Sequence, residues 1–191
     1  MLLDPAVALA TSLLLLGLPA AHRQARLRST RVAPPEAPLL SSSLAAQHPE
    51  AVAVADAGHK GRGLFAKVDI PEDTYLCDYA GELLSERQLS ERYAASASAA
   101  DGSRYVVAVA SPFGEPWFVD AREEEQVSPG RWLNHATDGT LACNVGNACY
   151  FPLEGLDVRL CMVTLRDVRA GEELQWDYGD SYWEAVGERP A

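Results

Sequence analysis

The chain has 191 residues, enough for one domain with an appendage. Hydrophobic residues make up 48%, which supplies a packed core, and the charged fraction of 23% is ordinary for a soluble chain. The formal net charge of −11 argues against a surface for nucleic-acid phosphates, a task that rests on Lys and Arg, and suits either simple solubility or a basic peptide partner.

The charge is uneven. Residues 1–50 hold four Arg against Asp4, Glu36 and Glu50, so residues 51–191 carry 12 Lys and Arg against 24 Asp and Glu. Residues 1–31 form an apolar and then basic segment. Pro5 to Ala21 is an apolar run around Leu13–Leu16, and Arg23, Arg26, Arg28 and Arg31 follow it. A secretory signal would have a basic start, which is missing here, and the run is short for a membrane helix of about 20 apolar residues. Three readings stand for it: a targeting sequence, a membrane anchor, or an apolar helix that docks elsewhere. Residues 32–50 are rich in Pro, Ser and Ala. Pro34, Pro35 and Pro38 forbid a regular helix around them, and the stretch is expected to be a linker of low order.

Residues 51–191 read as one β-rich, α+β domain. Val52–Val54, Leu64–Ala66 and Thr74–Tyr79 are predicted strands, with a turn at Gly61-Arg62-Gly63. Leu84–Ala100 is the predicted helix, with Ser85 as its N-cap. Arg104–Ala110 and Trp117–Asp120 form a predicted strand pair across Pro112-Phe113-Gly114-Glu115-Pro116. Val158–Val168 and Glu172–Gln175 complete the strands. Many short strands joined by Gly/Pro turns point to a mainly β fold.

The cysteines are Cys77, Cys143, Cys149 and Cys161. They contain no Cys-x-x-Cys and no zinc-ligand spacing, so no metal is expected.

Four segments carry the chemical signal: Gly61-Arg62-Gly63-Leu64-Phe65-Ala66, Tyr79-Ala80-Gly81-Glu82, Arg131-Trp132-Leu133-Asn134-His135-Ala136, and Gly171-Glu172-Glu173-Leu174-Gln175-Trp176-Asp177-Tyr178-Gly179. Each alone is weak. In this order the set resembles the SET domain, the protein-lysine methyltransferase fold that uses S-adenosylmethionine. The resemblance covers the C-terminal two thirds to three quarters of the chain. It implies small sheets around a pseudoknot, in which the Asp177-Tyr178 segment tucks under a loop beside Asn134-His135.

The resemblance also implies roles. Lys60, Arg62, Gly63, Asn134, His135 and Tyr178 would contact the methyl donor. Tyr178 and Tyr79 would be catalytic, placing hydroxyl oxygens beside the transferring methyl and the substrate amine. Tyr79, Tyr105, Trp176 and Trp183 would line the lysine channel, although Tyr105 and Trp183 also suit plain packing. Trp176 stands where the family has Tyr or Phe, at a position that helps set how many methyls are added. Ala136 replaces the Ser usual after Asn-His. Asp120 reads as structural, and Glu123-Glu124-Glu125 as a solvated face or a basic-peptide contact. The post-SET cysteine tail of some relatives is absent.

The function expected by resemblance is S-adenosylmethionine-dependent protein-lysine N-methylation, with no metal and no direct nucleic acid. A histone tail is the leading substrate by analogy. A non-histone organellar protein is the alternative if residues 1–31 target an organelle, and a catalytically inactive SET-like binding module is a third reading. A histone enzyme would sit in the nucleus. Membrane contact arises only if residues 5–21 act as an anchor.

Overall fold

The computed structural model describes residues 40–94, 104–109, 116–123, 128–150, 158–180 and 182–183. A short helix α1 (Leu44–Gln47) precedes the hairpin of β1 (Val52–Asp56) and β2 (Arg62–Ala66). Then come β3 (Tyr75–Asp78), β4 (Glu82–Ser85) and the helix α2 (Glu86–Ala94). The chain continues with β5 (Val106–Val109), β6 (Trp117–Asp120) and a two-residue strand β7 (Asn134–His135). It closes with β8 (Val145–Tyr150), β9 (Arg159–Thr164) and β10 (Glu173–Trp176). The mainly β architecture with few short helices agrees with the sequence expectation.

The strands form two sheets. The larger runs β1-β2-β10-β8-β9-β3, with β7 also on β10, and the smaller runs β4-β6-β5. The outer strands turn one face inward, while β9 and β10 each bury three consecutive residues and so are covered on both faces. Leu64, Leu76, Val145, Leu160, Met162 and Leu174 are thereby almost wholly buried in one core. Burial of each such side chain is worth about 1.5–3 kcal/mol. A bidentate Arg159–Asp78 pair, with Nε···Oδ2 at 2.8 Å and Nη2···Oδ1 at 3.0 Å, ties β9 to β3. Its planar fork matches the carboxylate geometry.

The smaller sheet has its own cluster of Leu84, Leu89, Tyr93 and Phe118 under α2. The predicted N-cap at Ser85 is realised as a capping box. Ser85 N donates to Gln88 Oε1 at 2.9 Å and Gln88 N to Ser85 Oγ at 3.4 Å. The end of the predicted helix, residues 95–100, lies outside the described residues, as do residues 1–39 and Glu124-Glu125. Asp120 is structural, as expected: buried, it accepts from Arg92 Nη1, Tyr93 Oη and Arg122 N.

Residues 40–50 depart from the low-order linker expected there. Leu40–Ser42 is a 3-10 turn and α1 follows, capped by Ser43, whose side chain accepts from Ala46 N at 3.2 Å. Leu44 and Ala45 pack on the main core. The Pro cluster that forbids helix ends at Pro38, and Leu44-Ala45-Ala46-Gln47 is free of it, so local propensity and one apolar contact suffice.

The topology turns on β10. One end pairs antiparallel with β2, at Glu173↔Phe65 and Leu174↔Leu64. The other end lies between two parallel neighbours, β7 at Gln175↔Asn134 and Trp176↔His135, and β8 at Trp176↔Val145. The chain from β7 to β8 must therefore cross over β10, which is the pseudoknot. Asn144, 1% exposed, fastens the crossing. Its side chain accepts from Gln175 N at 2.9 Å and donates to Glu173 O at 2.8 Å, while its backbone N donates to Gln175 O at 3.1 Å. Asp138 N donates to Asp177 Oδ2 at 3.1 Å and pins the crossing loop from above.

Asn144→Ala removes two side-chain hydrogen bonds and leaves buried backbone partners unpaired, so it is expected to cost about 2–4 kcal/mol in chemical denaturation. A loss below about 0.5 kcal/mol, the size of an ordinary surface substitution, would contradict this role. Removal of residues 1–51 should also lower the melting temperature relative to removal of residues 1–39, because only the longer cut strips α1 from the core. Equal melting temperatures would return residues 40–51 to a linker.

Candidate functional site

A cleft of about 970 Å³ opens along β7 and the end of β10. Its wall includes Lys60, Arg62, Tyr79, Tyr105, Asn134, His135, Trp176, Tyr178 and Trp183, so the fold brings residues far apart in sequence to one place. Gly63 stands just behind that wall, fully buried.

One end of the cleft is polar. The turn before β2 needs Gly61, whose φ of 79° lies in the left-handed region. From this turn Lys60 reaches Glu173, with Nζ···Oε2 at 2.5 Å. Asn134 Nδ2 donates to Glu173 Oε1 at 2.8 Å and to Arg62 O at 3.1 Å. Gly63 makes room for this pair: a Cβ there would stand 2.6 Å from Glu173 Oε1 and 2.8 Å from Asn134 Nδ2. The glycine that the sequence marked for close approach is thus needed for packing of the polar pair.

The other end is aromatic. Trp176, 4% exposed, lies 6.1 Å from the Tyr79 ring and 5.6 Å from the Tyr178 ring between centroids. Trp183 stacks on Tyr178 at 6.1 Å, and Tyr182 meets Tyr178 edge-on at 4.6 Å. The two tyrosine hydroxyls have spent their protons. Tyr178 Oη donates to Leu133 O at 2.7 Å, and Tyr79 Oη to Tyr105 O at 3.0 Å. Burial, above all, raises both phenols above their ordinary value, so both remain protonated. A hydroxyl whose one proton is committed keeps only acceptor lone pairs for anything in the cleft.

His135 links the two ends. Tyr178 N donates to its Nδ1 at 3.2 Å, which puts the neutral ring's proton on Nε2. Burial lowers its pKa from the ordinary 6.5, with Asp177 opposing and Lys60 adding to the shift. Its Nε2 is buried without a partner. The same holds for Arg131 Nε, Trp176 Nε1 and Trp183 Nε1, which complete the set of such side-chain atoms among the described residues. All are N–H donors, and all belong to residues on the cleft wall. An unsatisfied buried donor costs about 1–3 kcal/mol, so each of these N–H groups calls for an acceptor from water or a bound molecule.

Sequence reasoning missed the parts played by Glu173 and Arg131. Arg131 is 8% exposed, lies 4.3 Å over the Tyr105 ring and 4.8 Å over Trp132, and donates from Nη1 to Arg122 O. Tyr105 therefore packs and faces the cleft at once. The cysteines are all free, and burial pushes the Cys143 thiol up to about 11, which leaves it a neutral core group. Among the described residues, no group of three or more His, Cys, Asp or Glu is placed to hold a metal ion, and no helix is long and apolar enough to cross a membrane.

The SET domain family profile matches residues 61–179. Histone-lysine N-methyltransferase EHMT1 of Mus musculus is 30% identical over 128 residues, which span 66% of this chain and 9% of that protein. N-lysine methyltransferase KMT5A-A of Danio rerio is 29% identical over 131 residues, 69% of this chain and 36% of that protein. The chain thus spans a tenth to about a third of the length of these curated relatives. Among solved structures, CpSET8 from Cryptosporidium superposes with a TM-score of 0.54 at 27% identity, covering 73% of this chain and 59% of that one. A humanized mutant of the Chaetomium thermophilum Polycomb Repressive Complex 2 gives 0.52 at 29% identity, covering 69% of this chain and 15% of that one.

The lowered pKa of His135 has a stability consequence. The folded state binds the proton less well than the unfolded chain. The contribution is therefore full above the unfolded value of 6.5 and is lost as the pH falls through the lower folded value. Thermal unfolding between about pH 7.5 and 5 should decline more steeply for the wild type than for His135→Asn, which has nothing to titrate there. Parallel curves would show that protonation of His135 is not coupled to folding.

Proposed function

The chain belongs to the SET-domain family, and on that premise we propose that it is an S-adenosylmethionine-dependent protein-lysine N-methyltransferase. The observation that carries the proposal is the cleft itself, lined by residues that hold unpartnered N–H donors and proton-committed tyrosine oxygens.

The residues present fit the methyl donor. The cleft has room for it. The His135 Nε2–H is an orphaned donor suited to a ring nitrogen or a carboxylate, and the unused Oδ1 of Asn134 is an acceptor suited to an ammonium. Lys60, Arg62, Asn134, His135 and Tyr178 would hold it, with Gly63 admitting the polar pair behind them. When bound, S-adenosylmethionine supplies a methyl made electrophilic by its sulfonium.

The chain's own residues do the rest. Tyr79 and Trp176, both about 5% exposed or less, give the channel an apolar wall that disfavours an ammonium and so favours the neutral, nucleophilic lysine amine. Tyr79 Oη can accept an N–H from that amine and orient its lone pair. Tyr178 Oη presents partial negative charge where a polarised methyl passes, fixed in place by Leu133 O and needing no reorganisation. Holding the partners in line is worth about 7–11 kcal/mol in favourable cases, and the aromatic cluster of Tyr178, Tyr182 and Trp183 is suited to excluding water from the channel.

For the substrate, a lysine within a basic segment suits the 12 basic against 24 acidic residues of positions 51–191. A histone tail is the first candidate, supported by the histone-lysine relatives and by this charge. An organellar protein takes its place if residues 1–31 act as a targeting sequence. A silent binding module is disfavoured, because Tyr178, Tyr79, Asn134 and His135 all line the one cleft.

The test is transfer of a labelled methyl from S-adenosylmethionine to core histones and to a cell extract, with the labelled residue identified by mass spectrometry. Label on lysine is expected. Tyr178→Phe should lower turnover at least about tenfold, or roughly 1.4 kcal/mol of barrier. Wild-type turnover in a folded Tyr178→Phe chain would remove Tyr178 from catalysis, and label on no lysine would overturn the proposal.

A further inference from the structure

We propose that Glu173 is the positioning residue that gives the polar end of the cleft its selectivity for a cationic amine. It acts by fixing which face of the Asn134 amide looks into the cleft. The inference rests on the reading of this cleft as the S-adenosylmethionine site, whose amino-acid end carries such an amine.

The Asn134 amide is fully committed on its donor side. Its Nδ2 has two protons, and both are used, on Glu173 Oε1 at 2.8 Å and on Arg62 O at 3.1 Å. The Oδ1 is the one group of the amide left over, and Asn134 lines the cleft. An amide can turn over, exchanging its NH₂ and oxygen. Here the flipped state would aim Oδ1 at a carboxylate and a carbonyl, which are acceptors only. Glu173 therefore holds Asn134 with its acceptor toward the ligand. Without the carboxylate only Arg62 O opposes the flip, and the flipped amide would offer an NH₂ donor to an ammonium that is itself a donor.

The second element is charge. Lys60 stands on the cleft wall and would repel a bound ammonium. Its Nζ lies 2.5 Å from Glu173 Oε2, with the carboxylate side chain only 14% exposed. One carboxylate thus does two things: Oε1 orients Asn134 and Oε2 neutralises Lys60. The third element is space. A Cβ on residue 63 would stand 2.6 Å from Glu173 Oε1 and 2.8 Å from Asn134 Nδ2, so Gly63 is what admits this pair. Glu172, the residue just before β10, is engaged elsewhere. Glu172 pairs with Arg166 at 2.7 Å, away from the site.

Two ligands separate this role from a structural one. S-adenosylhomocysteine keeps the amino-acid end, and 5′-methylthioadenosine lacks it. Calorimetry on the full chain, on Glu173→Ala and on Glu173→Gln measures binding of each. Glu173→Ala should weaken S-adenosylhomocysteine by about tenfold or more and leave 5′-methylthioadenosine within about twofold, since a charge-assisted hydrogen bond is the interaction lost. Glu173→Gln retains an acceptor for Asn134 but no charge for Lys60, and should fall between, at about two- to fivefold. Equal weakening of both ligands would make Glu173 structural and overturn the proposal, as would unchanged S-adenosylhomocysteine binding by folded Glu173→Ala. If Glu173→Ala does not fold, unchanged binding by Glu173→Gln overturns it. A wild-type chain that binds neither ligand would instead overturn the reading of the cleft as a donor site, and this proposal with it. Wild-type binding with indifferent variants overturns only the proposal.

Discussion

Asn144 holds β10 by its side chain and by its backbone, and β10 in turn holds the site. Every hydrogen-bonding group of Asn144 is used: its side chain on Glu173 O and Gln175 N, its backbone N on Gln175 O, and its backbone O by Leu165 N at 2.9 Å. Gln175 repeats the arrangement on the other side, donating from Nε2 to His135 O at 2.8 Å. A strand gripped this way between parallel neighbours cannot shift register by one residue without turning Glu173, Gln175 and Asp177 into the places of Leu174 and Trp176. The residues on which the cleft depends, from Glu173 to Tyr178, are consecutive on that one strand and its exit. Threading thus converts a short segment of sequence into a rigid wall with a polar end and an aromatic end.

The polarity of the cleft follows from how protons are spent. Tyr79, Tyr178 and Asn134 donate into the protein, to Tyr105 O, Leu133 O and Glu173, and so keep acceptor lone pairs for the cleft. His135, Trp176, Trp183 and Arg131 keep N–H groups with no protein acceptor. The wall is therefore a fixed pattern of acceptors and donors rather than a greasy slot. Such preorganisation is what a transfer between two bound partners needs, because the groups do not reorient when charge moves.

Much of this was legible in the sequence. Short strands, Gly/Pro turns and the order of the four motifs gave a SET-like expectation, and Ser85 announced α2. Lys60, Asn134, His135, Tyr79, Tyr178, Trp176 and Trp183 were all named before the fold brought them to one cleft. The rest depends on distance in space. Period-2 alternation says that Glu172 and Glu173 face opposite ways, but not which one meets Lys60, 113 positions away. Arg131 stands in the sequence beside a hydrophobic pair, and only the packing of Tyr105 and Trp132 against it shows it to be buried. The helical turns before β1 were hidden by the prolines upstream, whose influence ends at Pro38. Asn144 carries no sequence signature, since a buried Asn is recognised by its partners.

The threading of β10 is the constraint on which the rest of the site depends, and native-state hydrogen exchange tests it most directly. The amides of Ala136, Asn144 and Gln175, bonded to Trp176 O, Gln175 O and Asn144 Oδ1, close the crossing. They should exchange only when the whole domain unfolds, with the same opening free energy as the amides of β8 and β9 and the same dependence on denaturant. Exchange of these amides through a low-energy local opening, while β8 and β9 remain protected, would show that the crossing is a loose flap, and the cleft would then need another explanation for its rigidity.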